Sequence, residues 1–397
     1  MRHWVIFKLT LLLIIFITPL LTPNWGFSYE NIKVLGFVIL VSVIVLEYAL
    51  NKKRPQLRWS RVSAISLLFL LSLSLSSILG VKPPSSIMGE APYYQGLIFY
   101  IYLFVFSLLV GISGISIRQW VVVLSLSSLL VSVFSIKDYL LLHLFQIYTP
   151  TYADRVVSTF GQPNFYAGFI LLTLPLTSYL FKSPRNFIRL LGYLSLILGS
   201  LAIIASESRV TSGLLLIFLL TWLIIRAPKI VGLTLAFFLG FISATYFWIN
   251  LSTQGWDQTW LIRNAPERRL LFMPTLLEVS KKSLLVGYGL ENIGVAYQRH
   301  FQEMNFNTLN DPLAHALKNL QVDRSHSYLL DILLFSGILG LVSYLGLVVI
   351  LIFKTKSQLP LLSSLMIYLI WTQLHNQSVV HLIYFWWLVG VVSQEAT

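Results

Sequence analysis

Cysteine is absent from all 397 residues. That excludes disulfides and thiolate metal sites and leaves the redox compartment undetermined. Charge is also scarce. Only 11% of residues are Asp, Glu, Lys or Arg, against about 25% in a soluble domain. So few charges cannot cover a water-facing surface, so the two or three soluble domains suggested by length alone are excluded. Several signatures of soluble enzymes are missing too. There is no Walker loop, no G-x-S-x-G and no H-E-x-x-H. No internal repeat or low-complexity tract breaks the chain.

What is present is apolar. Hydrophobic residues make up 56% of the chain, and mean hydropathy is +0.78. This composition predicts an all-α polytopic membrane protein, a single integral membrane domain over 1–397. The apolar runs are continuous rather than alternating, which excludes a membrane β-barrel. Bare backbone is not tolerated in lipid, so the spans are helices. Twelve candidates stand at 4–22, 32–50, 62–80, 96–113, 119–137, 165–181, 188–205, 210–226, 229–249, 327–353, 359–374 and 379–394. The first lacks a small-x-small cleavage site and runs into further apolar sequence, so it is predicted to be a span rather than a signal peptide.

The net charge of +13 is mostly topological and implies no nucleic-acid partner. With the N-terminus in the cytoplasm, the inside loops carry Lys52, Lys53, Arg54, Arg58, Arg61, Arg118, Lys182, Arg185, Arg189, Arg226, Lys229, Lys354 and Lys356, and no acid. The opposite side mixes signs. The positive-inside rule therefore predicts both termini in the cytoplasm. Two outer segments are too long for plain turns: 138–164, and 250–326 between spans 9 and 10. The second holds Trp256, Trp260, Phe272, Phe301 and Phe306, which argues against disorder. Within it, 268–285 has a helical apolar face, predicting a short amphipathic helix on the outer membrane boundary that Gly287 and Gly289 end.

Four polar constellations fall on that outer side. Ser206-Glu-Ser-Arg209 is a tight turn between two spans. Arg209 is either a snorkelling interfacial residue or an anion ligand, since guanidinium forks onto phosphate oxygens. Pro266-Glu-Arg268-Arg269 opens the amphipathic stretch. Two arginines at a helix start oppose the helix dipole, which an anion bound there would relieve; alternatively Glu267 pairs with one of them on a solvated face. Asp323-Arg324-Ser-His326-Ser327 marks the return into the membrane. His326 is an interfacial or capping residue, or a base for a sugar hydroxyl; Asp323 or Ser325 is a candidate helix cap. Gly161-Gln-Pro163-Asn164 forces a turn at the start of a span, where Asn164 caps the helix or faces a ligand. No carboxylates with metal-ligand spacing accompany these groups. Arginine and histidine suit a metal-independent reaction in which cations stabilise a departing diphosphate.

In this order the four elements resemble the O-antigen ligase and O-antigen polymerase family of bacterial membrane glycosyltransferases. The likeness runs from about Tyr152 to Gly346. Gly161-Gln-Pro-Asn164 is similar to the family's glycine–x–proline–asparagine motif, and Ser208-Arg209 to its serine–arginine helix start. Arg269, with Pro274-Thr-Leu-Leu-Glu278 and Leu284-Leu-Val-Gly-Tyr-Gly289, resembles its arginine-led amphipathic helix ending in glycine–x–glycine. His326-Ser-Tyr-Leu with Ser336-Gly337-Ile-Leu-Gly340 resembles its histidine–asparagine helix and glycine pair. Met273 stands where the family usually has Trp, and Ser327 where it has Asn. The two adjacent arginines leave open whether Arg268 or Arg269 is the functional one.

The resemblance implies a GT-C-like membrane glycosyltransferase in the bacterial inner membrane, with its active site on the extracytoplasmic face. Its donor would be a polyprenyl (undecaprenyl) diphosphate-linked glycan, its acceptor a glycolipid, glycan or protein hydroxyl, and no cofactor or metal would take part. Arg209 and Arg269, with Arg268 and Arg324, would bind the diphosphate. His326 would activate the acceptor for one inverting displacement, and Gly161, Pro163 and Asn164 would line the substrate. A ligase is the leading reading. A polymerase using a second lipid-linked glycan comes next, and shares the donor chemistry. A flippase-type transporter fits twelve spans as well, but transporters concentrate function at the midplane, often with broken helices. A peptidoglycan-polymerising relative would need an outer carboxylate base, for which Asp154 and Asp323 are candidates.

Overall fold

The computed structural model describes residues 2–23, 28–51, 55–57, 59–147, 149–152, 154–226, 265–303 and 320–394. Over these the chain is a helix bundle with one tiny antiparallel ladder. In order come α1 (Arg2–Ile17), α2 (Tyr29–Leu50), α3 (Arg61–Leu79), the short α4 (Pro83–Met88), α5 (Leu97–Ile112) and α6 (Ile117–His143). A hairpin of β1 (Thr151–Tyr152) and β2 (Arg155–Val156) follows. Then come α7 (Pro163–Thr173), a 3-10 turn, α8 (Ser178–Phe181), α9 (Asn186–Ala205) and α10 (Arg209–Arg226). Beyond 264 lie α11 (Ala265–Lys282), α12 (Ile293–Glu303), α13 (Tyr328–Thr355), α14 (Leu359–Trp371) and α15 (Val379–Gln394).

Serine opens several of these helices. Ser28 and Ser60 accept from the backbone N–H three residues on, and Ser116 forms a capping box with Gln119. Among the described residues, six helical segments are long and apolar enough to cross a membrane, and five shorter ones are apolar. Their outward faces are greasy. On α9, Phe187, Leu190, Leu194, Ile197, Leu201 and Ile204 are exposed at helical spacing, a stripe that water would penalise and lipid accepts. The opposite face is small. Leu191, Gly192, Ser195, Gly199 and Ala202 are buried there, and Ser195 donates to the Ser125 carbonyl of α6 at 3.3 Å. Small residues let the two backbones approach in the absence of a strong hydrophobic drive. The last helix is the axis of the bundle: every side chain of α15 from Val379 to Val392 is buried, Trp386 and Trp387 completely.

Of the twelve predicted spans, 229–249 lies outside the described residues. Two others are less simple than predicted. The 165–181 span begins at Pro163 and is interrupted by the Leu174–Thr177 3-10 turn. The 327–353 span does not run straight. Gly337 has φ 63° and ψ −162°, a region open essentially to glycine alone. Residues sixteen apart on a straight helix lie about 24 Å apart, yet the Tyr328 and Tyr344 rings sit 5.4 Å apart. The first part of α13 therefore folds back toward the bundle.

The reversal is stitched by the segment 284–289. Tyr288 and Gly289 donate their N–H groups to the Leu334 and Phe335 carbonyls at 2.8 and 2.9 Å, and Ile338 donates to Leu284 at 2.8 Å. Ser76 of α3 donates to the same Phe335 carbonyl, and Gly289 donates to Ser76 Oγ at 3.0 Å. The packing admits no side chain. A Cβ at Gly287 would meet the Phe335 backbone at 2.5 Å, and one at Gly337 would meet the Leu285 backbone. The glycine–x–glycine and the glycine pair of the sequence are thus two halves of one joint. The amphipathic helix α11 already ends at Lys282, so Gly287 and Gly289 belong to this joint rather than to a helix stop.

Candidate functional site

Hydrogen bonds between chain-distant loops define two ends of the bundle. At one end Lys8 meets the Gly114 carbonyl, Tyr179 meets Gln358, and Gln394 meets Ser113. At the other, Thr159 donates to Pro19 at 2.7 Å, Val379 N–H to Glu30 at 2.6 Å, Gln95 to the Gln377 carbonyl at 3.0 Å, and Tyr328 N–H to Thr372 at 2.9 Å. Trp371 Nε1 donates to Thr211 at 3.1 Å, which brings the start of α10 to the same end. Arg209, Arg324, His326 and the Gly161–Asn164 turn all belong to this second end.

Arg324 is built into the protein. It is 4% exposed, lies 2.8 Å from Glu291 Oε1, and reaches Gln95 at 3.4 Å. The Tyr93 and Phe335 rings stack on its guanidinium at 4.5 and 4.9 Å. Burial works against its charge, but Glu291 and Asp331 outweigh that and hold the guanidinium above its usual range. Burial likewise pushes the Tyr93 phenol up. The diphosphate role expected for Arg324 meets a charge already matched by a carboxylate.

His326 follows at φ 62°, a left-handed conformation uncommon for a side-chain-bearing residue. It does not begin the helix; α13 starts at Tyr328 with Ser327 as N-cap, and neither Asp323 nor Ser325 caps it. Instead Ser325 N–H donates to Asp331 at 2.7 Å, Ser327 N–H donates to Ser325 Oγ at 3.1 Å, and Ser327 donates to Gln373 at 2.9 Å. These bonds fix the backbone on both sides of His326. The ring itself is partly exposed and lies 6.1 Å from Phe272 of α11. Asp323 and Asp154 are exposed, whereas Asp331 is buried.

Arg209 is exposed at the first position of α10 and makes no ion pair with a described residue. The turn before it is rigid. Glu207 has φ 52°, Ser206 Oγ accepts from Ser208 N–H at 3.1 Å, and Ser208 meets Thr211 at 2.8 Å. Arg155 of β2 donates to the Glu207 carbonyl at 3.4 Å. Burial lowers its guanidinium pKa; Glu207 opposes that and Arg209 adds to it. Arg268 and Arg269 fall within α11, and their side chains lie outside the described ones. Glu267 is in the same position.

Gln162, not Asn164, is the N-cap of α7, with Pro163 in the first turn. Gly161 has φ 74°, and a Cβ there would strike the Tyr29 ring. Lys33 clamps this corner, donating to Thr159 at 2.6 Å, with the Phe160 ring at 5.2 Å. Sequence reasoning missed Arg155, the Glu291 partner of Arg324, the bonds of Glu30 to Val379 and of Lys33 to Thr159, and the buried turn His375-Asn-Gln-Ser378. The turn is legible in hindsight as four polar residues between two apolar runs. Arg155 carries no signal beyond its charge.

Among the described residues no group of three His, Asp or Glu could hold a metal ion. No protein-family model matches the chain, and no curated protein matches it.

Proposed function

We propose that the protein is an O-antigen ligase-like glycosyltransferase that moves a glycan from a polyprenyl diphosphate onto an acceptor hydroxyl at the extracytoplasmic face. The twelve-span GT-C-like topology, the cytoplasmic termini and the bacterial inner membrane are parts of the same reading. One observation carries it: Arg209, with an exposed guanidinium that forms no ion pair with a described residue, and His326, with a fixed backbone and a partly exposed ring, belong to the end of the bundle opposite the basic loops. Arg209, with Arg269, binds the diphosphate and stabilises its charge as it departs. His326 orients or deprotonates the acceptor. The nucleophilic oxygen forms its bond to the anomeric carbon while the bond to the diphosphate oxygen breaks, so the centre inverts. Arg324 positions His326 through its tie to Glu291 rather than meeting substrate.

The transporter reading draws on the reversal at Gly337, since broken helices line transport paths. Here the break is filled by protein backbone, which favours the enzyme. The test is transfer in vitro from a defined polyprenyl-diphosphate glycan to a panel of acceptors. Wild type is expected to transfer, and Arg209→Ala and His326→Ala to lose transfer while remaining folded. Full activity in both variants overturns the proposal. Lipid-linked glycan acceptance alone would make the enzyme a polymerase.

A further inference from the structure

Consecutive residues at the end of α14 bond to both helices that carry the groups proposed for transfer. Trp371 ends α14, and Thr372 and Gln373 continue from it. On one side Trp371 Nε1 donates to Thr211 Oγ1 at 3.1 Å, and Thr211 meets Ser208 Oγ at 2.8 Å. Ser208 and Thr211 flank Arg209 at the start of α10. On the other side lies the start of α13, directly after His326. That start has no cap of its own. Its N-cap residue Ser327 makes no side-chain cap bond, so the first N–H groups of α13 need acceptors from elsewhere. Tyr328 N–H donates to the Thr372 carbonyl at 2.9 Å, and Leu329 N–H to Gln373 Oε1 at 3.2 Å. Ser327 Oγ donates to the same Gln373 oxygen at 2.9 Å. Gln373 Nε2 in turn donates to the Leu369 carbonyl at 3.1 Å and to Thr372 Oγ1 at 3.2 Å. Two bonds accepted and two donated use the whole amide, and a flipped amide would set its nitrogen against the Leu329 N–H.

From this geometry we infer that Trp371 and Gln373 are positioning residues, two ends of one strut that sets the separation of Arg209 and His326. The inference rests on the roles proposed above for those two groups and adds the residues that hold them in register. The strut itself is anchored. Trp371 is fully buried and stacks on His381 at 4.4 Å, and Gly168 lies against both rings, where a Cβ would strike them. Beyond the turn, Gln377 Oε1 accepts from Tyr368 at 2.7 Å, and its carbonyl accepts from Gln95 at 3.0 Å. The Gln373 amide is spent within the protein, so it acts through Ser327 and Leu329 rather than on substrate. His326 lies outside the helix at φ 62°, and its place follows from the residues beside it. A base must meet the acceptor while an arginine meets the leaving group, and a misplacement of about 1 Å can cost about a hundredfold in rate.

The experiment measures that separation directly. The chain has no cysteine, so spin labels on Gly213→Cys and Gln321→Cys report the distance between the two segments by double electron–electron resonance on the purified full-length protein. Both positions are exposed, and a Cβ at Gly213 meets nothing within 4 Å. Transfer from a polyprenyl-diphosphate glycan is measured in parallel on unlabelled protein. Gln373→Met keeps the length of the side chain and Trp371→Phe keeps an aromatic ring; each deletes the hydrogen bonds. Each is expected to broaden the distance distribution at least about twofold and to lower kcat at least about tenfold, with KM within about threefold of wild type. Gln373→Glu keeps both acceptor bonds and should restore the narrow distribution and most of kcat. Tyr179→Phe cuts a tie at the opposite end of the bundle and should change neither readout. An unchanged distribution in Gln373→Met and Trp371→Phe overturns the inference, as does equal broadening in Tyr179→Phe or a loss of transfer that lies in KM alone. If transfer depends on Arg209 and His326 while both strut variants keep the narrow distribution, the strut falls and the proposed function stands. The expected broadening in a protein that transfers to no acceptor leaves the strut and sinks the proposed function.

Discussion

Replacing Gly337 with alanine tests the joint that holds the histidine segment. The residue sits at φ 63° and ψ −162°, where a Cβ costs about 1–3 kcal/mol in backbone strain alone. The added methyl would also meet the backbone of Leu285, which has no flexible end to swing aside. The 284–289 loop must withdraw. Three backbone hydrogen bonds join that loop to 334–338, each worth about 0.5–1.5 kcal/mol. Strain and the lost bonds together come to about 2.5–7.5 kcal/mol, a large share of a typical 5–15 kcal/mol stability. The measurement is equilibrium unfolding of purified protein in mixed micelles. Gly213→Ala is the control: its Cβ would meet nothing within 4 Å, and alanine in a helix is neutral or stabilising by up to about 1 kcal/mol. A Gly337→Ala protein within about 1 kcal/mol of wild type would refute the joint as described.

Glu291→Gln leaves the Arg324 guanidinium buried without its carboxylate and should cost about 3–5 kcal/mol in the same unfolding assay; adding Arg324→Met should recover part of it, and strictly additive losses would argue that the two do not act as a pair. The absence of cysteine gives a clean background for sidedness. Ile147→Cys should react with an impermeant thiol reagent from outside intact cells, and Ser357→Cys only after permeabilisation; the reverse pattern would invert the proposed orientation. Lys33→Met removes the donor to the Leu21 and Thr159 carbonyls, and loosened proteolytic protection of 155–163 is the expected result. Transfer activity is expected to survive a chelator, and loss restored by a divalent ion would contradict cation-only catalysis by arginine.

Composition and periodicity carried the membrane class and most helices, because lipid imposes one constraint on every span. They carried less where backbone geometry departs from a helix. The reversal at Gly337 leaves an apolar sequence that reads as one span, and only the glycine hints at the break. Arg324 illustrates a second limit. In sequence it is another outer arginine beside a histidine, but Glu291 lies 33 positions away and no local pattern pairs them. Asn164 looked like a cap because it precedes an apolar run; the proline before it moves the helix start back, leaving Gln162 as N-cap.

Burial sorts the charges at the His326 end of the bundle in a way that counting them cannot. Arg324 and Lys33 are buried and satisfied by Glu291 and by carbonyls. Their removal should damage the fold first and chemistry second. Arg209 and Arg155 are held by rigid turns yet keep their donors available. Arg155 is half-buried, and burial lowers its guanidinium pKa, a cost that the Glu207 carboxylate offsets in part. The same test separates Gly287 and Gly337 from catalysis: they admit no side chain because backbone meets backbone. Their contribution to a reaction is then positional. They fix where the 326–336 segment lies, and so where a histidine next to that joint meets its acceptor.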